Sequence, residues 1–249
     1  MKNLKKRGQL TLFISLAIII FGAILLFSII NKENDRSTKV PEKIQPIKNF
    51  IADCIKMEGE KAILDLSKKG GYYSISNEIP NINGTIPYYI FNNKSYVITK
   101  RQLELEFSEY IKDNLPNCLG NFSDFSEFKI SKNGESIVNT TINAEDISID
   151  VTYSIIINQD EDTYALKDFD NLVVISRIGT IQNLAERIIQ EQLSHTGSIC
   201  LTCLSDMGTI DDVYIEITPY ENISNIFTLK DNQLNSSQVY EYTFAIENE

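Results

Sequence analysis

Residues 10–30 contain no charged side chain, and Lys2, Lys5, Lys6 and Arg7 stand directly before them. As a helix rising 1.5 Å per residue, this run of about 21 residues reaches about 30 Å, the thickness of a bilayer's hydrocarbon core. The chain is therefore expected to enter a membrane when it is made. A cleaved secretory signal has a shorter apolar core followed by small residues. This run is longer, and Ser28-Ile29-Ile30-Asn31-Lys32 is a poor site for such a cut. The expectation is a retained, single-pass transmembrane helix.

The Lys/Arg bias around the run is weak, because Lys32, Arg36, Lys39, Lys43 and Lys48 follow it. Six Asn-x-Ser/Thr sequons, at Asn83, Asn93, Asn121, Asn139, Asn222 and Asn235, favour an extracellular, glycosylated C-terminal part. An Asn-rich chain that forms sequons by chance stays an open alternative. All 34 acidic residues lie beyond the run with 19 of the 23 basic ones, so residues 31–249 carry a net charge of −15. Such a surface repels nucleic acid and anionic lipid, and its simplest use is to keep the exterior soluble.

Residues 31–43 are polar and charged, with Pro41 and then Pro46, and read as a stalk. The expected division is a basic leader 1–8, an apolar helix 9–30, the stalk 31–43 and an ectodomain 44–249, with a subdivision near residue 195 left open. Ile47, Phe50, Ile51, Cys54, Ile55, Ala62 and Leu66 form a helical stripe over about 46–69, ended by Gly70-Gly71. Strand-like segments follow at 86–91 and 96–98, joined as a hairpin through residues 92–94. Thr99 is a candidate cap for a helix over about 100–119, with Pro116 weakening its last turn. Asn133-Gly134 is a strong hairpin signal. Ile147, Ile149, Val151, Tyr153 and Ile155 alternate with polar residues as a half-buried strand should. A further strand near 172–178, a helix to about residue 194 and three C-terminal strands complete the pattern. Helices and antiparallel hairpins mix without strict alternation, so the fold class expected after the transmembrane helix is α+β.

Four cysteines carry most of the chemical interest. Cys54 and Cys118 lie on or beside the stripes of two helices, and packing of those stripes would bring the thiols together. A Cys54–Cys118 disulfide is the expectation for an exterior compartment; two buried free cysteines are the alternative. Cys200-Leu201-Thr202-Cys203 is a CxxC. A local structural disulfide is the expectation, with free thiols, redox work and metal binding as alternatives. Redox chemistry asks for such a pair at a helix N-terminus after a strand, and residues 197–199 are too short and polar to be a clear strand. Zinc would need two more ligands; His195, the sole histidine, is near, but a fourth is not evident. His195 is expected at the surface near a helix end, without a catalytic role. Asp160-Glu161-Asp162, Glu145-Asp146 and Asp211-Asp212 read as solvated turns. No P-loop, dinucleotide fingerprint, HExxH or GxSxG is present. No catalytic residue, metal or cofactor is therefore expected.

Lys6-Arg7-Gly8-Gln9-Leu10 before an apolar helix resembles the leader of archaeal type IV pilins and archaellins. The resemblance implies cleavage by a prepilin peptidase between Gly8 and Gln9, on the cytoplasmic side of the helix. The helix would then stay attached, anchor the protein and pack against like subunits in a filament. Phe13 stands where bacterial-type pilins carry Glu. The wider pattern, with GGY, IPYY, two Cys-bearing helices and a terminal TFAI strand, is similar to single-pass surface proteins of small-genome archaea. The expected function is that of a membrane-anchored surface protein, not an enzyme. Its ectodomain would bind or build, with like subunits or surface-layer proteins as partners. The alternative is an anchored extracytoplasmic thiol–disulfide oxidoreductase using Cys200 and Cys203.

Overall fold

A computed structural model describes Ile20 and residues 40–194, 199–221, 223–231 and 241–248. The chain divides into two compact units, Met1–Pro46 and Ile47–Glu249. Pro41 in the first precedes a short 3-10 turn, Glu42–Ile44. The second is a mixed α+β fold with two separate sheets.

Helix α1 (Gln45–Lys68) buries Ile51, Cys54, Ile55, Ala62, Ile63 and Leu66, positions that recur every three or four residues along one face. Gly59 lies where this face comes closest to the first sheet. A Cβ there would sit 2.8 Å from Ile149 Cδ1 and 3.2 Å from Val174 Cγ2. The helix stops at two glycines with positive φ, +54° at Gly70 and +87° at Gly71. Gly71 N–H donates to the Leu66 carbonyl at 2.7 Å and Gly70 N–H to that of Ser67, which satisfies carbonyls the helix would otherwise leave open.

Next come β1 (Asn81–Ile82), β2 (Ile86–Phe91) and β3 (Lys94–Ser95). Asn92 and Asn93, both with positive φ, turn β2 into β3. The hairpin expected to run through 96–98 ends at Ser95, and Ile98 is instead buried as the chain enters the next helix. Helix α2 (Lys100–Leu119) begins with a full capping box between Thr99 and Gln102. It runs through Pro116 to Leu119, so the irregularity expected at Pro116 falls one turn later. Gly120, Asn121 and Phe122 there take left-handed φ.

The first sheet is built on a long hairpin, β6 (Asp146–Gln159) and β7 (Asp162–Ile175), with Asp160-Glu161 at its tip. Ile147, Ile149, Val151, Tyr153, Ile155 and Ile157 on β6 are all buried, as their alternation requires. β4 (Lys129–Lys132) and β5 (Ile137–Ile142) do not pair with each other, which corrects the hairpin expected at Asn133-Gly134. Both lie end to end along the free edge of β6. Residues 133–136 bulge out opposite Tyr153 and Ser154, with Gly134 at φ +94°. Tertiary pairing with one long strand overrides the local turn signal. The outer edge of β5 is closed by α2: Ser108 Oγ accepts from Thr140 N–H at 3.1 Å and Glu104 Oε1 from Ile142 N–H at 3.0 Å.

Helices α3 (Ile178–Ser194) and α4 (Leu201–Asp211) lead into β8 (Val213–Tyr220), β9 (Ser224–Asp231) and β10 (Glu241–Glu247). The second sheet has the order β1-β2-β10-β9-β8, with β3 also on β2. Its pairings are antiparallel except for β2 with β10, which run parallel. Tyr89, Phe244 and Phe227 stack across its middle, with ring centroids 4.4 and 5.4 Å apart. Tyr89 O–H donates to the Gly70 carbonyl at 2.7 Å, so the equally short bond to Tyr242 uses the Tyr242 proton. This joins the end of α1 to the second sheet.

Candidate functional site

The α3–α4 corner holds the most reactive chemistry among the described residues. α3 is strongly amphipathic and buries Ile181, Leu184, Ala185, Ile188 and Ile189, which fixes its first three turns against the core and leaves its last turn at the surface. α4 is a helix that the sequence pattern does not announce. Its apolar residues, Leu201, Cys203, Leu204, Met207 and Ile210, make no continuous buried face, and only Leu204 and Gly208 are buried. Gly208 lets it lie close on β8: a Cβ there would meet the Val213 carbonyl at 2.7 Å.

Cys200 is the N-cap of α4, and its Sγ accepts from Cys203 N–H at 3.3 Å. Cysteine thus takes the capping role usually filled by Ser, Thr, Asp or Asn. The two cysteines are joined as a disulfide and both are half-buried. The Glu191 carboxylate reaches them from the last turns of α3. One of its oxygens and the two sulfurs all lie within 4.8 Å of one another. With both thiols reduced, this trio offers three ligands of the kind zinc takes and leaves a fourth position open. As a disulfide it offers no thiolate. His195 lies outside the described residues, so the fourth-ligand question raised by the sequence stops there.

The other pair is of a different kind. Cys54 and Cys118 are joined between α1 and α2 with Cα atoms 5.8 Å apart, a pairing compatible with the helix packing expected from the two stripes. Cys54 is 2% exposed, and among the described residues no cysteine is free.

Two depressions flank the corner. A groove of about 440 Å³ runs between α4 and β8, walled by Leu201, Leu204, Ile215 and Ile217. A cleft of about 480 Å³ lies where α2 and α3 begin, with Lys100, Asn143, Gln182, Glu186 and Asp211 on its wall. Asp211 is not the solvated turn residue expected from sequence: it pairs with Arg187, and its carbonyl accepts from Arg177. Arg177 also bonds Asp231 at 2.5 Å in an ion pair that is nearly buried on both sides. Asp160, Glu161 and Asp212 are exposed.

The buried tyrosines are structural. Burial holds the Tyr89 and Tyr242 hydroxyls well above the usual tyrosine range, and burial with the Glu106 charge pushes Tyr72 up to about 12. They stay neutral over the physiological range and serve as hydrogen-bonding groups, not as acids.

Of the sequon asparagines, Asn83, Asn93, Asn121 and Asn139 are all exposed. The first three stand in turns with positive φ, and Asn139 points outward from β5. Asn222, Asn235 and the leader residues Gly8 and Gln9 lie outside the described residues. Among the described residues no helix is long and apolar enough to cross a membrane; of residues 10–30, only Ile20 is described.

Comparison of the chain with family models, with curated proteins and with solved structures finds no match. The functional reading therefore rests on its own residues.

Sequence reasoning placed the CxxC but missed two things that give it a setting, the α4 cap and Glu191. The spacing of Leu201, Leu204 and Gly208 is the signal that could have found α4. Glu191 comes near the sulfurs only through the tertiary placement of α3 beside the start of α4.

Proposed function

We propose that the protein is a membrane-anchored cell-surface protein whose α+β ectodomain faces the exterior and serves in binding or structure. The observation that carries this reading is the uncharged run 10–30 behind a basic leader, long enough to span a bilayer. Two further features support the side on which the ectodomain lies. Its four cysteines stand as two disulfides, the state that persists in oxidising compartments. Every described sequon asparagine is open to a glycan, and none sits in the core. The net charge of −15 over residues 31–249 argues against nucleic acid as a partner.

The sharper form is a pilin-like subunit. Cleavage between Gly8 and Gln9 would leave the apolar helix at the N-terminus, ready to anchor and then to pack against like helices. The intact mass and N-terminal peptide of the protein from native membranes test both forms. A mature chain beginning at Gln9 is the expected result and directs the search to filaments. A chain that retains Met1 in the membrane fraction leaves a single-pass anchor and removes the pilin form. Recovery in the soluble fraction overturns the proposal.

A further inference from the structure

We propose that Cys200, Cys203 and Glu191 form a thiol–disulfide exchange site that oxidises a dithiol presented by another protein. Three observations at different places in the fold converge on it. The disulfide is half-buried at the very start of a helix of 11 residues, where backbone N–H groups point outward and stabilise a thiolate. One such N–H, that of Cys203, already contacts Cys200 Sγ at 3.3 Å. A carboxylate oxygen from a separate helix lies within 4.8 Å of both sulfurs. A purely structural cross-link needs neither the cap nor the carboxylate, and a bridge spanning three residues adds little to the stability of a fold that already ties α4 through Asp211.

A substrate thiol gives its proton to the Glu191 carboxylate and attacks Cys200 Sγ; the Cys200–Cys203 bond breaks, and a mixed disulfide forms while Cys203 leaves as a thiolate. Glu191 passes a proton to Cys203, making the thiol. The second substrate thiol gives up its proton and attacks the substrate sulfur of the mixed disulfide, which expels Cys200 as a thiolate held by the Cys203 N–H and the helix N-terminus. The substrate dithiol has lost two electrons and two protons and become a disulfide. The protein disulfide has gained two electrons and become the Cys200/Cys203 dithiol, its second proton taken up through Glu191 or from water. The other disulfide, with Cys54 in the core, is not involved.

The full-length chain in detergent, oxidised, is mixed with a reduced two-cysteine fluorescent peptide, and the rate of peptide oxidation is read against that of oxidised glutathione. The expected rate is roughly 100-fold above glutathione, as for a disulfide whose final product thiolate, Cys200, is stabilised at a helix N-terminus. The Cys200→Ser, Cys203→Ser double variant should fall to background while its thermal midpoint and the Cys54–Cys118 bond are retained. Glu191→Gln should slow exchange by roughly 100-fold, the low end for a positioned proton donor, with an unchanged midpoint. Glu191→Asp should restore part of the rate. A rate no better than glutathione, or one that survives the double substitution, overturns the site. An unaltered rate in Glu191→Gln overturns the part assigned to that residue. Reduced protein that takes up zinc through these three residues and then resists reoxidation overturns the redox reading in favour of a metal site. None of these outcomes depends on membrane anchoring, so the anchored-surface reading stands or falls separately.

Discussion

The two disulfides use the same bond for opposite ends. Cys54–Cys118 spans 64 residues, ties α1 to α2 and has one partner sealed in the core. Cys200–Cys203 spans three, lies half-open at a helix tip and has a carboxylate beside it. The first removes much conformational freedom from the unfolded chain and is shielded from solvent thiols. The second removes much less and is within their reach. Stability and reactivity are therefore divided between two pairs that the sequence presents simply as four cysteines.

The largest expected effect lies on the long-range pair. Replacing Cys54 and Cys118 by Ala should lower the free energy of unfolding by about 4 kcal/mol, seen as a lower urea midpoint. A shift no larger than that of the Cys200/Cys203 variant would break the comparison. The next effect concerns the α3–α4 region, which has no long-range disulfide and relies on an ion pair instead. Asp231→Ala strands the buried Arg177 guanidinium and should cost about 3 kcal/mol in the same measurement. Removing the charge on both sides with Arg177→Met and Asp231→Leu should cost less than the single change.

A third test uses pH. The folded pKa of Tyr72 is raised to about 12, and those of Tyr89 and Tyr242 are raised too, all chiefly by burial. The unfolded chain releases these protons near pH 10, so the stability they contribute is fully present below pH 10 and is lost as pH rises toward the folded values. Urea midpoints measured at pH 9 and pH 11 should fall. Tyr242→Phe should flatten that fall, whereas substitution at the disulfides should not.

The smallest effect is expected at the short pair. Cys200→Ala with Cys203→Ala should change stability by less than about 2 kcal/mol. Yet mild dithiothreitol followed by alkylation and peptide mapping should label Cys200 and Cys203 first, and label Cys54 and Cys118 only under unfolding conditions. Labelling in the reverse order would contradict the division of roles.

What the sequence disclosed follows from how local each feature is. The β6 strand was legible because Ile147 through Ile155 alternate without interruption. α2 is legible because Thr99 is a cap residue directly before a helical stripe of Leu103, Phe107, Ile111 and Leu115. The two Asn-Gly dipeptides mark the limit. Asn133-Gly134 was read as a hairpin and is a bulge, because β6 is long enough to pair with both β4 and β5. Asn83-Gly84 carries the same signal and does close a hairpin, with both φ values positive and Thr85 N–H bonded to the Ile82 carbonyl. Which of the two became a turn was decided by strands far away in the chain. Glu191 belongs to the same class: its approach to the sulfurs depends on the packing of α3, and no spacing rule carries it. The Cys54–Cys118 pairing was easier because each cysteine lies on or beside a stripe that must be buried anyway.

The parallel contact between β2 and β10 has a consequence for the order in which the molecule can be finished. Residues 86–91 emerge early and wait for residues 241–247, which complete the middle of the sheet. Until that strand arrives, the β8–β9 hairpin is not joined to β2 and Tyr89 lacks both Phe244 and Tyr242. On the proposed membrane-anchored reading, a domain threaded across a membrane from its N-terminal side would spend most of its passage with an open β2 edge, exposed to chaperones and to mispairing with a neighbour. Closure would come as a late, single step that depends on the arrival of nearly the whole chain.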